Sequence, residues 1–132
     1  MAVKNFQFKK EERLCSEKLL TELYTKGSSF LHYPFRVTWM PLSNIKLPYP
    51  SQLVISVPKK RFKLSVSRNL IKRRIREAYR LNKSTLLYPY LESCSITIIL
   101  GLNYVGKEIH DYAYIEKKLV EMFKSLDKHI NK

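Results

Sequence analysis

Glycine is scarce in this chain, with three residues (Gly27, Gly101 and Gly106) in 132. That excludes a Gly/Ser linker and a glycine-rich phosphate cradle, and the chain is expected to form one domain over residues 1–132. Two cysteines, Cys15 and Cys94, are too few for a disulfide scaffold or a cysteine zinc site. They fit two semi-buried thiols in a reducing compartment. Three histidines, His32, His110 and His129, are scattered, and no HxH or DxD spacing occurs. A protein-borne nuclease centre would need a carboxylate cluster or a histidine acid–base pair, so no catalytic residue and no metal ligand is expected on this chain. A hydrophobic stretch long enough to span a bilayer is absent. Met1–Lys10 carries lysines without a signal-type apolar run. The expectation is a cytoplasmic protein with no membrane partner.

Acidic residues are also few. Eleven Asp and Glu face twenty-five Lys and Arg, a formal charge of +14. Self-repulsion on that scale is relieved by an anionic partner. At 45% hydrophobic residues the chain has enough apolar mass for a core, unlike a disordered basic tail.

The apolar periodicity gives a coarse order. Residues 11–26 form a helix on Leu14, Leu19, Leu20 and Leu23, with Gly27 at the stop position. Residues 29–40 form strand, and Pro34 implies an edge position, a bulge or a split in two. Residues 41–50, with Pro41, Pro48 and Pro50, form a loop, and 51–57 a second strand. A helix follows from about Val66 to Lys83, with Ser65 or Ser67 as candidate cap. Residues 84–93 form a loop around Pro89, or more helix followed by that loop, and 94–102 a strand buried on both faces. A last helix spans about Asp111 to His129, its stripe being Tyr112, Ile115, Leu119, Met122, Phe123 and Leu126. This order implies an α+β fold, a two-layer sandwich of helices on a small sheet.

Charge concentrates between residues 59 and 83. Lys59, Lys60, Arg61, Lys63, Arg68, Lys72, Arg73, Arg74, Arg76, Arg80 and Lys83 lie there, with Glu77 the only acid. On a helix at about 100° per residue, Arg68, Asn69, Lys72, Arg73, Arg76, Arg80 and Lys83 fall within an arc of about 140°. Leu70, Ile71, Ile75, Ala78 and Leu81 take the opposite side. Arg74 falls among the apolar positions and is expected to snorkel. Tyr79 falls beside Arg68 and Lys72 and is a candidate to stack on a base or ribose. Arg68–Lys72, Lys72–Arg76 and Arg76–Arg80 are like pairs at i,i+4, each opposing the helix by about 0.2–0.5 kcal/mol. A merely solvated face would mix signs, and phosphates relieve such rows. Arginine's planar fork suits phosphate oxygens, and Asn69 adds a neutral donor and acceptor.

The segment Arg68-Asn69-Leu70-Ile71-Lys72-Arg73-Arg74-Ile75-Arg76, an R-N-x-x-K-R-x-x-R pattern, resembles the signature of the protein component of bacterial ribonuclease P. The flanking VPKKRFKLSVS and REAYRLNK, the N-terminal FKKEERLCSEKLLTELYTKGSSF, the strand ITIIL and the last helix extend the resemblance over most of the chain. It implies a mostly antiparallel sheet of three to four strands, like that of ribosomal protein S5, with a left-handed βαβ crossover around the basic helix. It also implies the role: protein subunit of a ribonucleoprotein endoribonuclease that removes the 5′ leader of precursor tRNA. The catalytic groups and most of the Mg2+ then belong to the RNA subunit. The partners are that RNA and precursor tRNA, with the protein a monomer within the complex. Arg68, Asn69, Lys72, Arg73 and Arg76 match the motif and Lys59, Lys60, Arg61 and Lys63 the basic approach. With Arg80 from the charged arc, these are the candidate RNA-binding residues. Ser65 departs from the alanine common at its position. The leader surface maps onto Leu20 and Tyr24 of the first helix. Facing them is one parity of the strand, either Arg36 and Thr38 or Phe35, Val37 and Trp39. The competing readings are a ribosomal or general structured-RNA binder and a stand-alone metallonuclease. A DNA-binding helix lacks a helix-turn-helix partner here.

Overall fold

The computed structural model describes residues 12–14, 16–42 and 49–130. Cys15 and most of the expected 41–50 loop lie outside them. The elements are α1 (Glu17–Lys26), β1 (Ser28–His32), β2 (Phe35–Leu42), β3 (Ser51–Ser56), α2 (Ser65–Asn82), α3 (Tyr88–Ser93), β4 (Thr97–Tyr104) and α4 (Tyr112–Ile130). A π-helical turn, Lys83–Leu87, joins α2 to α3.

The four strands form one sheet in the order β1-β2-β4-β3. β1–β2 and β2–β4 are antiparallel, and β3–β4 is parallel. The parallel pair is bridged by α2, the π turn and α3, which is the expected βαβ unit. One sheet face carries Phe35, Val37, Trp39, Leu53, Ile98, Leu100, Leu102 and Tyr104 into the main core, against α2 and α4. Of the predicted α4 stripe, Ile115, Leu119, Met122, Phe123 and Leu126 are buried and Tyr112 is half-buried against the core. α1 lies on the opposite face over a smaller cluster of Leu14, Leu23 and Ile99. β4 is thus covered on both sides.

Pro34 does split the strand expected over 29–40 in two, with Tyr33 and Pro34 at the turn between β1 and β2. Several local expectations change. α1 starts at Glu17, six residues later than periodicity suggests, because residues 13 and 14 run along β3. Arg13 bridges to Leu53 in parallel, and the Leu14 amide donates to the Leu53 carbonyl at 2.9 Å. Ser16 then caps the helix, accepting from the Leu19 amide at 3.2 Å. Gly27 does end α1, though not by a left-handed turn: a Cβ there would sit 2.3 Å from the Leu23 carbonyl oxygen. At α2 neither serine caps. Leu64 holds the cap position without a side-chain bond and Ser65 is the first helical residue.

The loop expected over 84–93 is helical instead. The buried seam runs Ile71, Ile75, Tyr79, Lys83, Leu87, Leu91, every fourth residue. A strict four-residue repeat drifts about 40° per step around a 3.6-residue helix. The wider π turn at Lys83–Leu87 takes up that drift and keeps the seam on the core. Pro89 is tolerated in the first turn of α3, where its missing amide costs no helical bond.

Candidate nucleic-acid interface

The seam decides which α2 residues reach solvent. Asn69, Arg73 and Arg76 are exposed, and Lys72 is half-buried. Tyr79 is not on the surface. It is fully buried beside Phe123, its hydroxyl facing those of Tyr88 and Ser51, and burial pushes its pKa up to about 12. The expected base-stacking role is therefore ruled out by position. Lys83, placed by the helical wheel on the basic arc, is fully buried as well. Both misplacements follow from projecting a drifting seam onto a straight helix.

The remaining cations divide by what they touch. Arg68 turns back on its own approach, donating to the carbonyls of Phe62 at 2.8 Å and Lys63 at 2.9 Å. Arg61 donates to the Val105 carbonyl at 2.6 Å. These three bonds hold the exposed Lys59, Lys60 and Lys63 between the head of α2 and the end of β4. Arg74 does not simply snorkel: it donates to the His110 carbonyl at 2.5 Å and ties α2 to the segment before α4. Arg80 pairs with Glu77, Nε to Oε2 at 3.2 Å, so the one acid between residues 59 and 83 is matched within the helix. The Arg80 bond holds the Glu77 carboxyl below its ordinary pKa. Asn69, Lys72, Arg73 and Arg76 keep their side chains toward the outside with the lysines of the approach.

Lys72 and Arg76 also line a cleft at the outer edge of β3, where Arg13 and Leu14 run alongside it, together with Leu53, Val54 and Ile55. Arg13 was not among the expected residues. Its only signal is position, since pairing of residue 13 with β3 is a tertiary contact.

A second surface opens beside α1. The register pairs Arg36 with Asn103 and Thr38 with Gly101. Phe35, Val37 and Trp39 are in the main core, so the parity is resolved: Arg36 and Thr38 face α1. Arg36 is exposed, whereas Thr38 is buried at 6% exposure. Leu20 packs on the small cluster that seats α1. Tyr24 is 45% exposed, and its hydroxyl donates to Asn103 Oδ1 at 3.2 Å. Burial raises the Tyr24 pKa, keeping the phenol a neutral donor. Gly101 makes room for that ring: a Cβ there would lie 2.9 Å from the Tyr24 hydroxyl. The open part of this surface is thus Tyr24, Arg36 and Asn103. Asn103 was missed because nothing in the sequence marks it before the register is known.

A family profile described as Ribonuclease P matches residues 8–127. This chain belongs to the ribonuclease P protein family. A ribonuclease P protein component from Porphyromonas gingivalis is 38% identical over 114 residues, 86% of this chain and 82% of the relative. That of Petrotoga mobilis is 30% identical over 120 residues, covering 91% and 95%. Among solved ribonuclease P proteins, one from Staphylococcus aureus matches with a TM-score of 0.65 at 27% identity, over 87% of this chain and 94% of its own. The protein from Thermotoga maritima matches with a TM-score of 0.66 at 24% identity, over 86% and 96%, and so shares the fold. The ribonuclease P protein fold therefore accounts for the mixed sheet and the placement of α2. No helix among the described residues is long and apolar enough to cross a membrane.

Proposed function

We propose that this chain is the protein subunit of a ribonuclease P ribonucleoprotein, one copy per complex, assisting removal of the 5′ leader from precursor tRNA in the cytoplasm. Asn69, Lys72, Arg73 and Arg76, with Lys59, Lys60 and Lys63, contact the catalytic RNA. Arg68 and Arg61 set the approach that carries those lysines, and Arg80 joins the interface when phosphate competes with Glu77. The single-stranded leader lies on Tyr24, Arg36 and Asn103, where an aromatic face and a guanidinium meet a neutral amide. Leu20, on the sheet side of α1, and Thr38, on β2 beneath it, support that surface.

The observation that carries this reading is the division of α2. Its apolar seam is fixed to the sheet, while the exposed side holds like-charged rows that an RNA backbone neutralises. The reaction chemistry and most of the Mg2+ belong to the RNA. Among the described residues there is no group of three or more His, Cys, Asp and Glu placed to hold a metal.

The test is reconstitution with a ribonuclease P RNA at low Mg2+. The expected result is added cleavage of precursor tRNA and preference for precursor over mature tRNA. Equal binding of the two with no added cleavage fits a general structured-RNA binder. Cleavage by the protein without RNA would overturn the assignment of chemistry to the RNA.

A further inference from the structure

The segment ahead of α1 is anchored on both sides of Arg13. On one side is Glu12, whose carboxylate is fully buried and pairs with the equally buried ammonium of Lys83. The same carboxylate oxygen accepts from the Tyr88 hydroxyl at 2.5 Å. The ammonium also lies 5.5 Å from the Tyr88 ring centroid and 6.0 Å from that of Tyr49. On the other side, Leu14 is bonded to Leu53 on β3. A charge pair taken wholly out of water is no efficient source of stability, and apolar residues would often serve as well. It does fix register, because carboxylate, ammonium and phenol meet in one arrangement.

Between the anchors Arg13 is exposed, and it lines the β3-edge cleft with Lys72 and Arg76 of α2. Three cations from two distant stretches of sequence converge there, and among the described residues that line it there is no acid. Leu53, Val54 and Ile55 supply an apolar wall. The cleft measures about 220 Å³, room for about seven waters at liquid density, which suits a phosphate and its sugar.

We propose that this cleft is a one-nucleotide RNA subsite. Arg13, Lys72 and Arg76 hold the phosphate, and the partly exposed Val54 and Ile55 of β3 take the sugar. The buried Glu12–Lys83–Tyr88 group is the latch that sets Arg13 in place. The inference rests on the reading of this chain as an RNA-binding subunit. The nucleotide belongs either to the catalytic RNA or to the substrate leader, which share the same chemistry.

The experiment uses the full chain, a ribonuclease P RNA, and precursor and mature tRNA. Wild type is compared with Arg13→Ala, with the latch variant Glu12→Gln/Lys83→Met, and with the two combined. The latch variant removes both buried charges together, so neither is left unpaired. Arg13→Ala is expected to weaken one binding step roughly tenfold and to reduce its salt slope by about 0.7. A loss in binding the catalytic RNA places the nucleotide there; a loss for precursor but not mature tRNA places it in the leader. The latch variant should show the same loss, and adding Arg13→Ala to it should cost nothing more. Unchanged affinity for Arg13→Ala in both steps, with wild type binding normally, overturns the subsite. Equal losses from Arg13→Ala in wild type and in a folded latch variant overturn the latch. Should the latch variant not fold, Arg13→Ala, a surface change, still decides the subsite. Wild type that binds neither RNA would refute the proposed function itself, a distinguishable result.

Discussion

The hydroxyl of Tyr24 bonds to the side chain of Asn103, 79 positions further along the chain. That contact joins the exposed side of α1 to the end of β4, one of the sheet's two inner strands. It depends on the bare Cα of Gly101 beneath the ring.

Gly101→Ala is therefore expected to displace the Tyr24 ring at little cost in stability, because the nearest atoms are side-chain tips. Gly101→Val adds bulk beside Leu23, whose Cδ2 already lies 3.2 Å from a Cβ at this position, and should destabilise by about 1–3 kcal/mol. Thermal melts measure the second effect. Precursor-tRNA affinity measures the first, and should fall less than for Tyr24→Ala, where loss of stacking removes about 1–3 kcal/mol. Weaker binding by Gly101→Ala than by Tyr24→Ala would contradict the geometry.

Arg68→Ala and Arg73→Ala should both weaken binding to the catalytic RNA, but for different reasons. Arg73→Ala removes a solvent-facing cation and should flatten the salt slope by about 0.7–0.9. Arg68→Ala frees the approach from its bonds to Phe62 and Lys63. It should therefore also raise amide hydrogen exchange over residues 59–64 in the free protein. Unchanged exchange there would show that Arg68 does not order the approach.

Glu77→Gln removes the acid that occupies Arg80. RNA affinity is expected to rise a few-fold, most visibly at low salt. The folded carboxyl has a lowered pKa, so its contribution to stability exists above the unfolded value and fades as pH falls through the folded one. Wild type and variant should thus converge in melts carried out in acid. The gap at neutral pH should be small, since the pair is partly exposed and screened.

Tyr79→Phe should leave RNA affinity unchanged, because the ring is wholly inside. The lost hydroxyl faced Tyr88 and Ser51, and its removal is expected to cost about 0.5–1.5 kcal/mol in a denaturant titration. A selective loss of RNA binding would contradict the burial.

How far the sequence could be read follows from what each signal measures. α4 has a stripe that stays in phase with 3.6 residues per turn, so its buried positions were legible. α2 does not: its seam steps by four, and a straight wheel put Tyr79 and Lys83 on the wrong side. The fate of Arg68, Arg61 and Arg74 was illegible because their partners are main-chain carbonyls, which every residue carries. Arg36 was legible as a type but not as a face until register with β4 fixed its parity. Arg13 and Asn103 carry no local mark, and only tertiary pairing brings them to a surface.

The strand order has a consequence for the chain as it is made. β4 occupies the middle of the sheet yet begins at residue 97, and β3 borders no other named strand. A nascent chain that has emerged only to α3 can close the β1–β2 hairpin, but it has nothing to join that hairpin to β3. Its apolar faces and its cationic helix are then uncovered together, at the surface of a ribosome dense in RNA. Folding of the sheet must wait for the last third of the chain.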